Sequence, residues 1–309
     1  VIRAVVLGAP DLGGPAMECW HDDVVDGARA LGWSVEYLRV RGAPVDDIVR
    51  AAKGADLLLW LRTVSHNPRG DGYAMLRRIE DAGTATVGIH MDLYWGIRMR
   101  EQRIGAEAWW SAQHVYTADG GPRDWAGRGV NHRWCPPAFG TRYLGHGRRD
   151  PTVTARAAFV GSYAPRLHGS HRAHLIAWGR RQWPGAFLHV GDSRRTRLYH
   201  RKLNDLFASI DVVLGDSAPA ERYWSDRVPR TLGRGGLLAY PRTDGLAEQG
   251  FTDDAMLLYD RGRFDQIAER LHALSPVGRR MMTANAIQVV RERHTWPVRL
   301  ATIASEVLP

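Results

Sequence analysis

The sequence predicts an α/β protein made of two Rossmann-like units, each built on a parallel sheet. Three observations carry this. The chain has 309 residues, about twice the length of a single domain. Apolar runs of strand length alternate with stretches of helical spacing. A turn-rich segment interrupts the alternation, which then restarts. Strand following helix in this way implies parallel sheets covered on both faces.

In the first unit IRAVVL (2–7), WSVEYLRV (33–40), ADLLLWL (55–61), TATVGIH (84–90) and AQHVYT (112–117) read as strands, since they are short apolar runs closed by turn residues. Between them, 22–31, 45–53 and 72–82 have helical spacing; Pro44 opens the second, and Tyr73, Leu76 and Ile79 form a stripe on the third. Residues 1–140 make this domain. The turn-rich PPAFGTRYLGHGRRDP, Pro136 to Pro151, marks the linker, which is placed at 141–153. A second domain, 154–294, has strands at 157–160, 187–190, 211–214, 237–240 and 256–259, and helices near 169–182, 197–208, 226–234, 262–274 and 276–293. Thr295 and Pro297 set off a last helix within 295–309, which is free to return to the first domain.

Composition excludes several classes. Hydrophobic residues at 44% and charged residues at 24% are ordinary for a folded globular chain, and no run approaches the roughly 20 apolar residues of a membrane span. The N-terminus reads as a core strand and not as a leader, so a cytoplasmic location is expected. Cys19 and Cys135 are the only cysteines, which excludes a disulfide framework and a cysteine-based zinc site. His168, His171 and His174 are the one set at metal-like spacing, and an exposed basic helix face accounts for them as well. No metal and no bound cofactor is expected.

The net charge of +9 is uneven. Residues 1–150 are nearly balanced, whereas 151–202 hold ten bases (Arg156, Arg166, Arg172, Arg180, Arg181, Arg194, Arg195, Arg197, Arg201, Lys202) against one acid, Asp192. Such an excess suits an anionic ligand, either a nucleotide diphosphate or a polyanion such as DNA. An Arg-rich composition is the competing account, because lysine occurs only at Lys53 and Lys202.

Ligands of doubly wound sheets bind at the carboxyl ends of the strands, so the loops there are the candidates. The first, Gly8 to Pro15, has neither a dinucleotide fingerprint nor a Walker loop; its Gly13 and Gly14 would form a backbone wall for an acceptor. His90-Met91-Asp92-Leu93-Tyr94 ends the fourth strand, and His90 or Asp92 there is suited to take a proton from an attacking hydroxyl; an alternative role for Asp92 is a helix N-cap. His21, Tyr94 and Asp119 complete the acceptor-side candidates. In the second domain Gly161-Ser162, with Arg166 behind, and Gly191-Asp192 end successive strands, and Asp216 ends the next. The stretch SDRVPRTLGRGG puts Arg227 in the first turn of a helix and Gly235-Gly236 after it, so a guanidinium and a helix N-terminus would share one anion.

From Ala158 to about Arg299 these pieces occur in a familiar order: FVGS, YHRKLNDLFASIDVVLGDS, SDRVPRTLGRGGLL, DGLAEQGF, LLYD and RERHTWPVR. The series resembles the C-terminal domain of glycosyltransferases grouped with the spore maturation protein CgeB, of the GT-B architecture. The resemblance implies two Rossmann-like domains facing a central cleft, with a nucleotide-diphosphate sugar, UDP- or GDP-linked, bound in the second without a metal. It makes Arg227 the partner of the diphosphate and a catalytic residue, Gly161 and Ser162 part of a phosphate cradle, and Asp244-Gly245 a loop facing the sugar. One position departs from the pattern S-x-R-x-x-E of many relatives, because Arg230 stands where the acid would hold the ribose. The donor base and sugar stay open, as do retention or inversion and the oligomeric state.

The expected activity is transfer of a sugar from that donor to an acceptor hydroxyl. A hydroxylated base in DNA, as in phage enzymes that modify their DNA, is the leading single acceptor. The alternatives are a small-molecule, protein or polysaccharide acceptor, or a nucleic-acid-binding α/β protein without catalysis.

Overall fold

The computed structural model describes residues 1–9, 19–62, 67–162, 165–191 and 200–309, leaving out the side chains of 165–168. The chain divides into two compact units, Val1–Pro136 with Thr295–Pro309, and Pro137–His294.

The first unit runs β1 (Arg3–Gly8), α1 (Trp20–Ala30), β2 (Ser34–Arg39), α2 (Val45–Ala52), β3 (Leu57–Leu61), α3 (Gly72–Asp81), β4 (Ala85–His90), α4 (Arg98–Glu101), β5 (His114–Thr117) and β6 (His132–Trp134), and ends with α10 (Trp296–Val307). Its sheet has the order β2-β1-β3-β4-β5-β6, with every pair parallel. β1 and β3 are buried throughout their apolar run because helices cover both faces. On α3 the buried stripe is Met75, Leu76 and Ile79. Tyr73, expected on it, is exposed, since positions i, i+1 and i+4 share the inner face of a 3.6-residue turn. Asp71 caps this helix, accepting from the main-chain N–H groups of Tyr73 and Ala74. Trp60, Trp109 and Trp110 fill the core between α3 and the sheet.

Two elements had no sequence signal. α4 is a single turn, and β6 is a three-residue edge strand, His-Arg-Trp, that is nowhere fully buried. Helix α10 packs on α1: the Trp20 and Trp296 rings stack at 5.6 Å, and a Cβ on Gly27 would run into Trp296 and the Pro297 main chain. Glycine at this helical position is therefore a packing requirement.

The second unit comprises β7 (Ala157–Val160), α5 (Pro165–Gln182), β8 (Phe187–Val190), α6 (Arg201–Ser209), β9 (Val212–Leu214), α7 (Arg227–Leu232), β10 (Leu238–Pro241), β11 (Leu257–Tyr259), α8 (Asp265–Ala273) and α9 (Pro276–Arg293). Its parallel sheet has the order β11-β10-β9-β7-β8. Gly169 breaks α5 with a φ of 65°. The chain leaves β7 for β8 on one side and returns to β9 on the other. The loops after β7 and β9 therefore part at a topological switch point, where such sheets open a crevice.

The segment 141–153 is built into this unit and does not stand apart as a connector. Asn204 donates to the carbonyls of Tyr143 and Gly145, the Gly145 N–H to Gly233 O, and the Arg148 N–H to Asp205. These bonds satisfy main-chain groups that a free linker would leave to water. No helix among the described residues is long and apolar enough to cross a membrane.

Candidate functional site

At the switch point of the second unit lies a cavity of about 310 Å³, lined by Val160, Gly161, Ser162, Val190, Gly191, Leu203, Phe207, Asp226, Arg227, Arg230 and Thr231. Strand ends supply its glycines. Gly161 has a φ of 137° and Gly191 a φ of 95°, values that L side chains rarely adopt. A Cβ on Gly161 would overlap the Arg227 Nη2, so the missing side chain is what lets the guanidinium lie against the loop.

Arg227 reaches this position from the first turn of α7. Its main-chain N–H donates to Ser225 Oγ at 3.2 Å, and the Tyr240 hydroxyl accepts from the Ser225 N–H at 3.0 Å. Its Nε donates to Val160 O at 2.7 Å and its Nη1 to Asp216 O at 3.0 Å. The guanidinium carbon stands 5.0 Å from the centre of the Phe159 ring. Three contacts therefore fix the plane of the group and turn Nη2 toward the glycine wall. Asp226 caps nothing; it pairs with Arg230 at 3.2 Å and accepts from Ser225 Oγ. Partial loss of water raises the pKa of the half-exposed Asp226, but the Arg230 and Arg227 guanidiniums outweigh it and leave the carboxyl below its ordinary value.

Of the donor-side candidates, the cavity gathers Gly161, Ser162, Gly191 and Arg227. Asp192 and the Arg166 side chain lie outside the described residues. Asp216 is beside the cavity but fully buried. Gly235 and Gly236 are not in its wall. They close α7 through N–H bonds to Leu232 O and Thr231 O, and they pack on His146 and Phe207. Asp244 is an exposed residue of the turn after β10, and neither it nor Gly245 lines the cavity. Arg172 escaped the sequence reading except as one of ten bases. It is 2% exposed and bonded to Asp216, and nothing in a helical Arg announces burial.

In the first unit the acceptor-side candidates separate. Asp92 is 43% exposed and pairs with Arg100 at 3.2 Å. Arg100 also donates to Leu93 O. His90 is buried, and its Nδ1 accepts the Asp92 N–H at 3.0 Å, so in the neutral ring the proton sits on Nε2, 3.9 Å from Asp92 Oδ2. That tautomer has no free lone pair for an acceptor, which corrects the expectation of His90 as a base. Asp119 is fully buried and accepts from the Tyr94 and Trp95 N–H groups. Burial raises its pKa, the two bonds opposing. Its task is to fix the 94–95 turn. Tyr94 is buried against Trp110 and His90. His21, also fully buried, accepts the Ala9 N–H at the end of β1. None of these three is accessible to an acceptor. Gly13 and Gly14 lie outside the described residues. A buried ion pair that the sequence reading missed, Arg62 with Glu107, closes the end of β3.

Burial lowers the pKa of His90, and likewise that of His132 and His171, from 6.5 to about 4. The unfolded chain takes up protons at these positions as pH drops through 6.5, while the folded chain refuses them until about 4. Their contribution to stability is therefore complete above pH 6.5 and is lost as pH falls toward 4, by up to ~1.4 kcal/mol per pH unit for the buried His90 ring and by less for the partly exposed His132 and His171. The urea midpoint should fall clearly between pH 7 and pH 5. An unchanged midpoint would contradict neutral buried rings.

His171 stacks with Tyr259 and packs on Phe264, and among the described residues no three His, Cys, Asp or Glu side chains converge on one point.

Residues 155–305 match the model of the family described as Glycosyl transferase-like. No curated protein matches the chain. Among solved structures, the chain is similar to HepE of Anabaena, determined with UDP and glucose, at a TM-score of 0.65 and 12% identity over 99% of both chains. It is also similar to sucrose-phosphate synthase of Thermosynechococcus elongatus, at 0.63 and 12% over 99% of this chain and 98% of that one. The α,α-trehalose 6-phosphate synthase of Burkholderia multivorans gives 0.60 and 12%, covering 98% and 96%. The fold is thus the GT-B architecture, and with the family match over its C-terminal half the chain is a glycosyltransferase.

Proposed function

We propose that this glycosyltransferase holds the diphosphate of a nucleotide sugar in the cavity of its second unit and passes the sugar to an acceptor hydroxyl. The observation that carries the reading is Arg227, oriented by three contacts with Nη2 on the bare face of Gly161. HepE, a similar structure, was determined with UDP-glucose, which agrees with a uridine-linked donor. The finer placement among CgeB-like enzymes rests on the ordered motifs from Ala158 onward.

In this reading the bond from the anomeric carbon to the diphosphate oxygen breaks and the electron pair leaves with the diphosphate. Arg227 and Arg230 are the cations at hand for the charge that develops there. The acceptor oxygen forms the new bond and loses its proton. If the reaction inverts, Asp92 is the group suited to take that proton, because it is the partly exposed carboxylate of the His90–Asp92 loop. His90 acts through it by holding its main chain.

For the acceptor, DNA remains the specific proposal that the basic stretch 151–202 supports, on a smaller footing. Arg172 is buried on Asp216 and Arg156 is paired with Asp211, while Arg180, Arg181, Arg201 and Lys202 are exposed. Arg194, Arg195 and Arg197 lie outside the described residues.

Calorimetry with UDP, GDP and ADP should show one preferred nucleotide, and absence of binding to all three by folded protein would overturn the donor reading. In the same series, duplex DNA should bind with an affinity that falls with salt, by about 0.9 in logarithmic slope per phosphate contact. No binding at low salt would leave a small hydroxylated acceptor.

A further inference from the structure

Asp216 follows β9 and is 0% exposed, outside the lining of the cavity. Its Oδ1 accepts from Arg172 Nε at 2.9 Å and faces Arg227 Nη1 at 3.6 Å. Its main-chain oxygen accepts from the same Arg227 Nη1. The other bond of Arg172 runs from Nη1 to Ser162 O at 2.9 Å. Both guanidiniums rest over one ring, with their carbons 5.4 and 5.0 Å from the centre of Phe159. Two cations from different helices are thus drawn together by a single carboxylate. Arg172 braces the main chain of one cavity wall, Ser162, and Arg227 is itself part of the wall.

The charges explain why the carboxylate matters. Two guanidiniums that share one carboxylate repel each other, and in a buried setting that repulsion is poorly screened. One carboxylate between them cancels it and leaves one net positive charge, on the side where Arg227 faces the cavity.

We propose that Asp216 and Arg172 are a positioning pair, which never touches the ligand and sets both the Arg227 guanidinium and the Ser162 main chain for an anionic ligand in the cavity. The proposal rests on the nucleotide-diphosphate reading above. The competing account makes the same two residues a structural ion pair that ties α5 to the sheet.

The two accounts separate in a comparison of affinity with stability on the full chain. Inorganic pyrophosphate and UDP serve as probes, calorimetry gives Kd and thermal melting gives Tm, for Asp216→Asn, Arg172→Lys and Asp216→Asn/Arg172→Gln. Asp216→Asn should weaken both probes by about tenfold or more and lower Tm, since it strands a buried charge. Arg172→Lys keeps the charge but cannot reach Asp216 and Ser162 O together, and should weaken binding by roughly three- to tenfold. In the double variant no pair remains to be broken, so Tm should return toward the wild type. Affinity should stay low there, because Arg227 has still lost its carboxylate. Recovery of affinity along with Tm, or wild-type affinity in Arg172→Lys, overturns the proposal while leaving the cavity a diphosphate site. Should Asp216→Asn fail to fold, Arg172→Lys and the double variant decide by the same criteria. Wild-type protein that binds neither probe overturns the donor reading and the proposal with it.

Discussion

Arg227→Met should lower kcat by two to three orders of magnitude and leave the fold intact. The side chain is 12% exposed, so methionine keeps most of its packing on Phe159. What goes is the charge beside the leaving diphosphate. Loss of a single oriented donor at developing negative charge costs about 10²–10³ in kcat, and a hydrogen bond to a charged group is worth ~1.5–3 kcal/mol. Val160 O and Asp216 O also lose a donor, which lowers Tm somewhat. Arg280→Ala, on an exposed face of α9, is the comparison and should change turnover less than twofold. Similar small effects for both would reduce Arg227 to a prop between β7 and β9.

Gly161→Ala is the second large effect. At a φ of 137° an alanine carries strain of about 1–3 kcal/mol, and its Cβ also displaces Arg227 Nη2. Gly191→Ala separates the two causes. Gly191 too has a positive φ, 95°, but its Cβ would make only ordinary contacts of 3.4 Å or more with Gly161. Both variants should melt earlier, whereas UDP affinity should fall at least tenfold in Gly161→Ala alone. Equal losses of affinity would mean that loop strain, and not the seat of the guanidinium, sets binding.

The alternation of strands and helices was legible because the central strands are apolar runs and helices such as α1 and α3 bury a stripe along one face, whereas the single turn α4 buries nothing. β6 was not legible, because three residues with two titratable side chains have no period to detect. The strand-end loops that hold Gly161, Ser162 and Gly191 could be located for the same reason: a parallel sheet puts them all at one edge. Local sequence does not show which polar residues of that edge face inward. Asp119 and His21 have the composition of a site, but both are buried and accept from main-chain N–H groups, Asp119 through Oδ2 and His21 through Nδ1. Arg172 looked like one cation of a solvated face, and its burial depends on Asp216, 44 positions away.

The return of α10 to the first unit has a consequence for the order in which the protein is made. The second unit, Pro137–His294, is an uninterrupted segment, and its two ends are joined by the bond from the Phe139 N–H to His294 O. It can close as soon as it has left the ribosome. The first unit cannot. Its α1 waits for Trp296 and the rest of α10, which are synthesised only after the whole second unit, a delay of roughly 8–30 s at about 5–20 residues per second. Through that interval the face of α1 around Gly27 is uncovered, so of the two units the one begun earlier is the later to be finished, and its waiting apolar face is where misassociation is expected.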